Sequence, residues 1–267
     1  MVLLPFYILS AAIDIGVCLA AGFSGWMLVL MLAVLYIASF LALIILYVLA
    51  AAVISLFLGM EEREKVNRFC YAVVNYTVGG ICALFRVRIH TEGFEKLPEG
   101  RWLYVSNHRS GFDALSACWA LRKYGVSFIM KPAIMNIPIA GPFLRRSCFF
   151  AIDRENDREA LKTIIKATKL IKDDEASIAV YPEGTRNPEG KGLLPFRNGV
   201  FKIAQRAGVP VVVATVKNSE NVLRNFPRKA TDVYLKVCRV ISAEEVAEMK
   251  TNDIGDEVRK CMIQDDC

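Results

Sequence analysis

The chain has 267 residues, 33 Lys and Arg against 27 Asp and Glu, a formal net charge of +6, and 54% hydrophobic side chains. Residues 1–60 hold one charged side chain, Asp14, so the whole basic excess falls in the remainder. This division excludes a disordered chain and an ordinary cytosolic enzyme, and describes a membrane-seated segment joined to a basic globular domain large enough to bury its own core.

The first apolar run, Val2–Ala21, is interrupted by Pro5 and Asp14 and ends at Gly22-Phe23-Ser24-Gly25. The second, Trp26–Leu58, is uncharged and free of Gly and Pro, and is longer than the ~20 residues that a straight bilayer crossing needs. The two runs read as a helical hairpin anchor over 1–60. A cleaved signal peptide is not expected, because no Lys or Arg precedes the first run. Asp14 reads as a packing contact inside the hairpin. Arg63, Lys65 and Arg68 follow the anchor directly, which predicts that the globular part lies on the cytoplasmic face.

Residues 61–83 are expected to form an amphipathic helix connecting the anchor to an α/β domain over 84–267. Strand-like runs are Leu84–His90, Trp102–Ser106, Val126–Met130, Cys148–Ile152, Ser177–Tyr181, Pro210–Val216 and Asp232–Ile241. Helical runs are Phe112–Tyr124, Pro138–Arg146, Glu155–Asp173, Val200–Ala207 and Ala243–Gln264. Strands separated by helical crossovers imply a mainly parallel sheet with helices on both faces. Lys162, Lys166 and Lys169 share one side of a helix, which reads as a solvated face or a contact for acidic lipid headgroups or an acidic carrier.

Ligands of open α/β sheets sit beyond the carboxyl ends of the strands. Three predicted strands run into polar clusters: Asn107 to Asp113, Asp153-Arg154, and Pro182 to Asn187. If those strands are parallel, the clusters share one rim. His108 and Asp113 lie too far apart around an unbroken helix to touch. A strand end, a turn at Gly111 and a new helix near Asp113 would let them meet, leaving the other ring nitrogen as a base. The same spacing also fits an N-cap aspartate beside a structural histidine. Pro182-Glu183-Gly184-Thr185-Arg186 reads either as an anion nest backed by Arg186 or as a turn closed by a Glu183–Arg186 ion pair. Arg154 and Lys131 are further cations at the ends of strands.

Nothing marks a protein nucleophile. There is no G-x-S-x-G elbow beside a strand, Ser110 stands without a signature, and Cys118 falls in a helical run. The eight cysteines form no C-x-x-C pair and read as free thiols. With His90 and His108 the only histidines, no multi-histidine zinc site is expected. A His–Asp pair without a nucleophile suits a base acting on a substrate hydroxyl or on water.

Four blocks in order resemble the glycerolipid acyltransferase family, most of all its 1-acylglycerol-3-phosphate acyltransferases. They are Asn107-His108-x-x-x-x-Asp113, Phe150-Ala151-Ile152-Asp153-Arg154, Tyr181-Pro182-Glu183-Gly184-Thr185-Arg186 and Val209-Pro210-Val211-Val212. The likeness covers about residues 80–220; Val213 stands where a second proline is common, and Lys131 is followed by Pro132-Ala133 rather than the frequent x-Glu. The resemblance implies an α/β glycerol-3-phosphate acyltransferase-like fold preceded by a two-helix membrane anchor. By that likeness His108 is the base and Asp113 orients it, while Glu183, Gly184, Thr185, Arg186, Arg154 and Lys131 hold the acceptor phosphate. The implied co-substrate is acyl-CoA or acyl carrier protein, the acceptor a lysophospholipid in the bilayer; no cofactor, metal or nucleic acid is expected. Another acceptor, such as glycerol 3-phosphate or dihydroxyacetone phosphate, a membrane-bound hydrolase and a non-catalytic lipid-binding protein are the competing readings.

Overall fold

The computed structural model describes residues 4–21, 25–153, 155–187 and 192–266. It divides into two compact units, Met1–Gly59 and Met60–Cys267. The first unit is a pair of helices, α1 (Leu4–Ala21) and α2 (Gly25–Leu58). Among the described residues, α2 is the one helix long and apolar enough to cross a membrane. Tyr7 stacks on Phe40 across the pair, with ring centroids 4.8 Å apart. Asp14 is buried between the helices and accepts hydrogen bonds from Ser10 Oγ (3.4 Å) and Ser39 Oγ (3.2 Å), so this acid ties α1 to α2.

In the second unit the helix expected from residue 61 begins only at Arg68 (α3, Arg68–Leu84), where Asn67 caps it by accepting from the Cys70 amide. The charged run before the cap is drawn away by other partners. Glu62 pairs with Lys166 (2.5 Å), Glu64 pairs with Lys169 (2.8 Å), and the Val66 amide bonds Glu175. Lys162 is likewise paired, with Glu159. Each of the three lysines is therefore paired with an acid of its own chain while remaining about half exposed.

Seven strands follow: β1 (Val87–Glu92), β2 (Leu103–Ser106), β3 (Val126–Met130), β4 (Phe150–Ala151), β5 (Ser177–Val180), β6 (Val211–Lys217) and β7 (Thr231–Ile241). Helices α4 (Gly111–Leu121), α5 (Pro132–Met135), α6 (Ala140–Arg146), α7 (Asp157–Lys172), α8 (Lys202–Ala207) and α9 (Val222–Asn225) connect them, and α10 (Ala243–Glu248) and α11 (Thr251–Asp266) close the chain. The sheet order is β1-β7-β6-β2-β5-β3-β4. All neighbours pair in parallel except β6 and β7, which run antiparallel. Central strands are buried along all or nearly all of their length, as sheets covered on both faces require, whereas β7 alternates Val233, Leu235 and Val237 inward with exposed or half-buried residues between them.

Two expected boundaries move. Helix α3 continues through Leu84, and Arg86, in the left-handed region, turns the chain into β1 at Val87. The single helix expected over 243–264 breaks at Met249-Lys250, where the Met249 carbonyl accepts from Gln205 Nε2 (2.6 Å) and Asp253 accepts from the Lys250 amide.

Helix α3 packs closely on α4 because Gly79 lacks a Cβ: one built there would stand 2.5 Å from the Trp119 ring. Gly79→Ala is expected to cost roughly 1–3 kcal/mol of stability through overpacking, read as a lower melting temperature of the purified protein in detergent.

Candidate active site

The parallel registers set the rim. Val105 of β2 stands opposite Val180 of β5, and Phe128 of β3 opposite Ala179. Continued by two or three residues, these registers bring Asn107, Pro182 and Lys131 to one level just past the strand ends. The clusters after β2 and β5 are therefore direct neighbours, and Lys131 stands two strand spacings from His108's strand, roughly 10 Å.

Asn107 replaces the last rung of the β2–β6 ladder. Its side-chain amide donates to the Val216 carbonyl (2.9 Å) and its Oδ1 accepts from the Val216 amide (2.7 Å), so the side chain imitates a peptide unit where the backbone leaves the sheet. The chain then turns, and Ser110 caps α4 with Asp113 as the third helical residue in a capping box. One oxygen of the fully buried Asp113 accepts from the amides of Arg109 (2.6 Å) and Ser110 (2.7 Å) and from His108 Nδ1 (2.9 Å). Its other oxygen accepts from Ser219 Oγ. The two sequence readings of Asp113 merge, since the cap of α4 is also the partner of the histidine.

With Nδ1 committed to a carboxylate, His108 Nε2 carries the free lone pair. The imidazole side chain is 15% exposed, reachable but held. Tyr181 stacks on it, with centroids 4.4 Å apart and planes 22° from parallel. The Tyr181 hydroxyl is buried without a hydrogen-bond partner among the described residues, and burial pushes the phenol well above its usual value, so its face rather than its proton serves the site. Burial also raises the Cys118 thiol to about 12, which leaves it inert as a nucleophile at neutral pH. The seven described cysteines are all free.

Glu183 sits differently from its expected place at the substrate. It is buried, one oxygen accepts from the His108 amide (2.7 Å) and the other from the Leu194 amide (2.9 Å), and no ion pair joins it to Arg186. Glu183 therefore holds two loops together. Gly184, at φ 71° in the left-handed region, makes the turn, and its amide bonds the Tyr181 carbonyl. The Asn187 amide donates to the His108 carbonyl (2.7 Å), which lays the 185–187 backbone beside the histidine. Thr185 and Arg186 are exposed, with no hydrogen bond or ion pair among the described residues, so their donors are open to an anion at this loop. Lys131 is exposed at the start of α5. Arg154 lies outside the described residues. His90 sits away from this site, on exposed β1, paired with Asp232.

An apolar cavity of about 450 Å³ lies beside the same loop, lined by Ile129, Ile152, Leu161, Ile164, Val180 and Val200, with Tyr181, Pro182 and Gly184 in its wall. Asp157, Arg197, Asn198 and Lys202 supply its polar residues.

Residues 88–217 match the sequence model of the Acyltransferase family. A 1-acyl-sn-glycerol-3-phosphate acyltransferase from Haemophilus influenzae is 28% identical over 68% of this chain and 75% of its own length. The proteins of that name from Escherichia coli and Saccharomyces cerevisiae are 30% and 26% identical, over 56% and 64% of this chain and 61% and 57% of their own lengths. The crystal structure of the 1-acyl-sn-glycerophosphate (LPA) acyltransferase PlsC from Thermotoga maritima shares the fold, with a TM-score of 0.54 and 21% identity over 69% of this chain and 78% of that one. The globular unit is thus an acyltransferase domain. Over residues 88–217 the chain is similar to the Acyltransferase family and to the 1-acyl-sn-glycerol-3-phosphate acyltransferases named above.

Three residues of the site carried no assigned role in the sequence: Asn107, Tyr181 and Ser219. The first two stand inside recognised blocks as an amide and an aromatic, and only the fold turns them into a rung and a stacking plate. Ser219 follows β6, so the rim argument extended to that strand reaches it. Tyr181→Phe, which keeps the ring and removes an unpartnered hydroxyl, is expected to retain activity. Tyr181→Leu is expected to lower kcat by about tenfold as the imidazole loosens, a contrast that steady-state kinetics of the two variants will read.

Proposed function

We propose that this protein transfers an acyl chain from a thioester donor, acyl-CoA or acyl carrier protein, to the free hydroxyl of 1-acylglycerol 3-phosphate, giving phosphatidic acid. The observation that carries this reading is the His108–Asp113 pair, with Nδ1 held by the carboxylate and with Thr185 and Arg186, unengaged among the described residues, on a loop bonded to the His108 backbone. His108 Nε2 takes the hydroxyl proton as the oxygen attacks the thioester carbonyl. A C–O bond forms, the C–S bond breaks, and the imidazolium returns its proton to the departing thiolate. Asp113 keeps the tautomer and steadies the positive ring.

The acceptor's phosphate belongs at Arg186 and Thr185, with Arg154 and Lys131 as further cations of the rim. Glu183 acts behind them by holding the loop. The apolar cavity, which shares the Tyr181 wall with His108, suits a hydrocarbon chain. The relatives' names support the acceptor, and the long apolar helix α2 suits a substrate and product that live in a bilayer. We place the domain on the cytoplasmic face, where both donors are found. The chemistry calls for no metal.

Purified protein given radiolabelled acyl donor and lysophosphatidic acid is expected to form labelled phosphatidic acid. Labelled free fatty acid alone would instead identify a hydrolase, and acylation of glycerol 3-phosphate in preference would change the acceptor. His108→Ala is expected to abolish turnover while lysophosphatidic acid still binds. Arg186→Ala is expected mainly to raise the acceptor KM, as loss of a ground-state phosphate contact does; initial rates over a range of acceptor concentrations separate the two effects.

A further inference from the structure

The stretch matched by the Acyltransferase family ends at residue 217, yet the catalytic rim is tied to a helix far beyond it. Arg259, on α11, donates from Nη1 to the Leu194 carbonyl (2.9 Å) and from Nη2 to the Leu193 carbonyl (2.7 Å). Its guanidinium also lies 5.6 Å from the centroid of Phe196. The next link is the Leu194 amide, which donates to one oxygen of Glu183, whose other oxygen accepts from the His108 amide. One planar fork on α11 therefore fixes the peptide that fixes the carboxylate that fixes the backbone of the histidine.

The far end of the same helix serves the other side of His108. Asp265 accepts from Thr215 Oγ1 (2.5 Å) and pairs with Lys217 (3.7 Å) and Lys236 (2.9 Å). Between Thr215 and Lys217 stands Val216, whose peptide groups hold the Asn107 side chain. Residues 107 and 108 are thus each anchored to a segment that α11 grips.

We propose that α11 is a brace for the catalytic base and that Arg259 is a positioning residue for the acyl transfer, acting on His108 through Leu194 and Glu183. The proposal rests on the assignment of His108 as the base. The fork matters more than the charge, because two carbonyls on successive residues are held in a plane and a single ammonium reaches one of them.

The test uses the full-length enzyme in detergent–lipid micelles. Arg259→Ala is expected to lower kcat by about ten- to a hundredfold, the scale of a displacement of roughly 1 Å at a reacting group, with the acceptor KM changed by less than about twofold. Arg259→Lys is expected to fall between the two, and added guanidinium ion to restore part of the kcat of Arg259→Ala. Arg239→Ala serves as the control. Arg239 pairs with Glu245 and with Glu257 of the same helix but does not touch residues 193–194, so this variant is expected to keep the wild-type kcat.

If Arg259→Ala does not fold, Arg259→Lys carries the comparison. A kcat for both Arg259 variants within about twofold of wild type overturns the proposal. So does an equal loss of kcat in Arg239→Ala, which would reduce the effect to general loosening of α11. Activity retained by His108→Ala would instead remove the base assignment itself, a separate result from either of these.

Discussion

A single buried carboxylate organises the catalytic end of this domain. Asp113 accepts from two backbone amides of its own turn, from the imidazole of His108 and from the hydroxyl of Ser219. Out of water, a carboxylate is stable only when its lone pairs are satisfied, and here the donors come from the turn between β2 and α4 and from the loop after β6. Satisfying Asp113 therefore requires that two segments far apart in the chain meet correctly. The same condition that makes the acid tolerable in the core sets the ring nitrogen that it leaves free.

A second buried carboxylate repeats the device one strand over. Glu183 spends both oxygens on amides, one from His108 and one from Leu194, and the Asn187 amide closes the return contact on the His108 carbonyl. The glutamate in this block is a joint between loops, which leaves the neighbouring Thr185 and Arg186 to face solvent. The division of labour is physical. A group with both oxygens engaged to backbone in a buried loop cannot also receive a phosphate, whereas an exposed guanidinium with no partner among the described residues is ready to do so. Tyr181 adds a plate beneath the imidazole and a wall to the apolar cavity, so one side chain separates the polar chemistry from the hydrocarbon space.

The basic surface is less open than its composition implies. Acids of the segment 61–65 lie along the lysines of α7, pairing Glu62 with Lys166 and Glu64 with Lys169. Exposed pairs of this kind contribute little stability. Their consequence is that this face of α7 does not present uncompensated charge. The cations left unengaged on the described rim are Lys131 and Arg186, near where the proposed anionic acceptor must sit.

Local patterns were enough for the seven strands and most of the helices, because burial on both faces of a parallel sheet leaves continuous apolar runs in the sequence. The order of the polar clusters along one rim also followed, since parallel strands put their carboxyl ends together. The His108–Asp113 pairing was legible as one of two readings, and the fold united them because the helix cap and the histidine's partner are the same atoms. What lay beyond the sequence were contacts made across long separations: Ser219 on Asp113, Leu194 on Glu183, Glu62 and Glu64 on α7, and Arg259 on residues 193–194. Each is a hydrogen bond or ion pair between ordinary residues with no periodicity or spacing to announce it. Periodicity reports which side of an element is buried, but only closure of the chain decides which donor arrives at which acceptor.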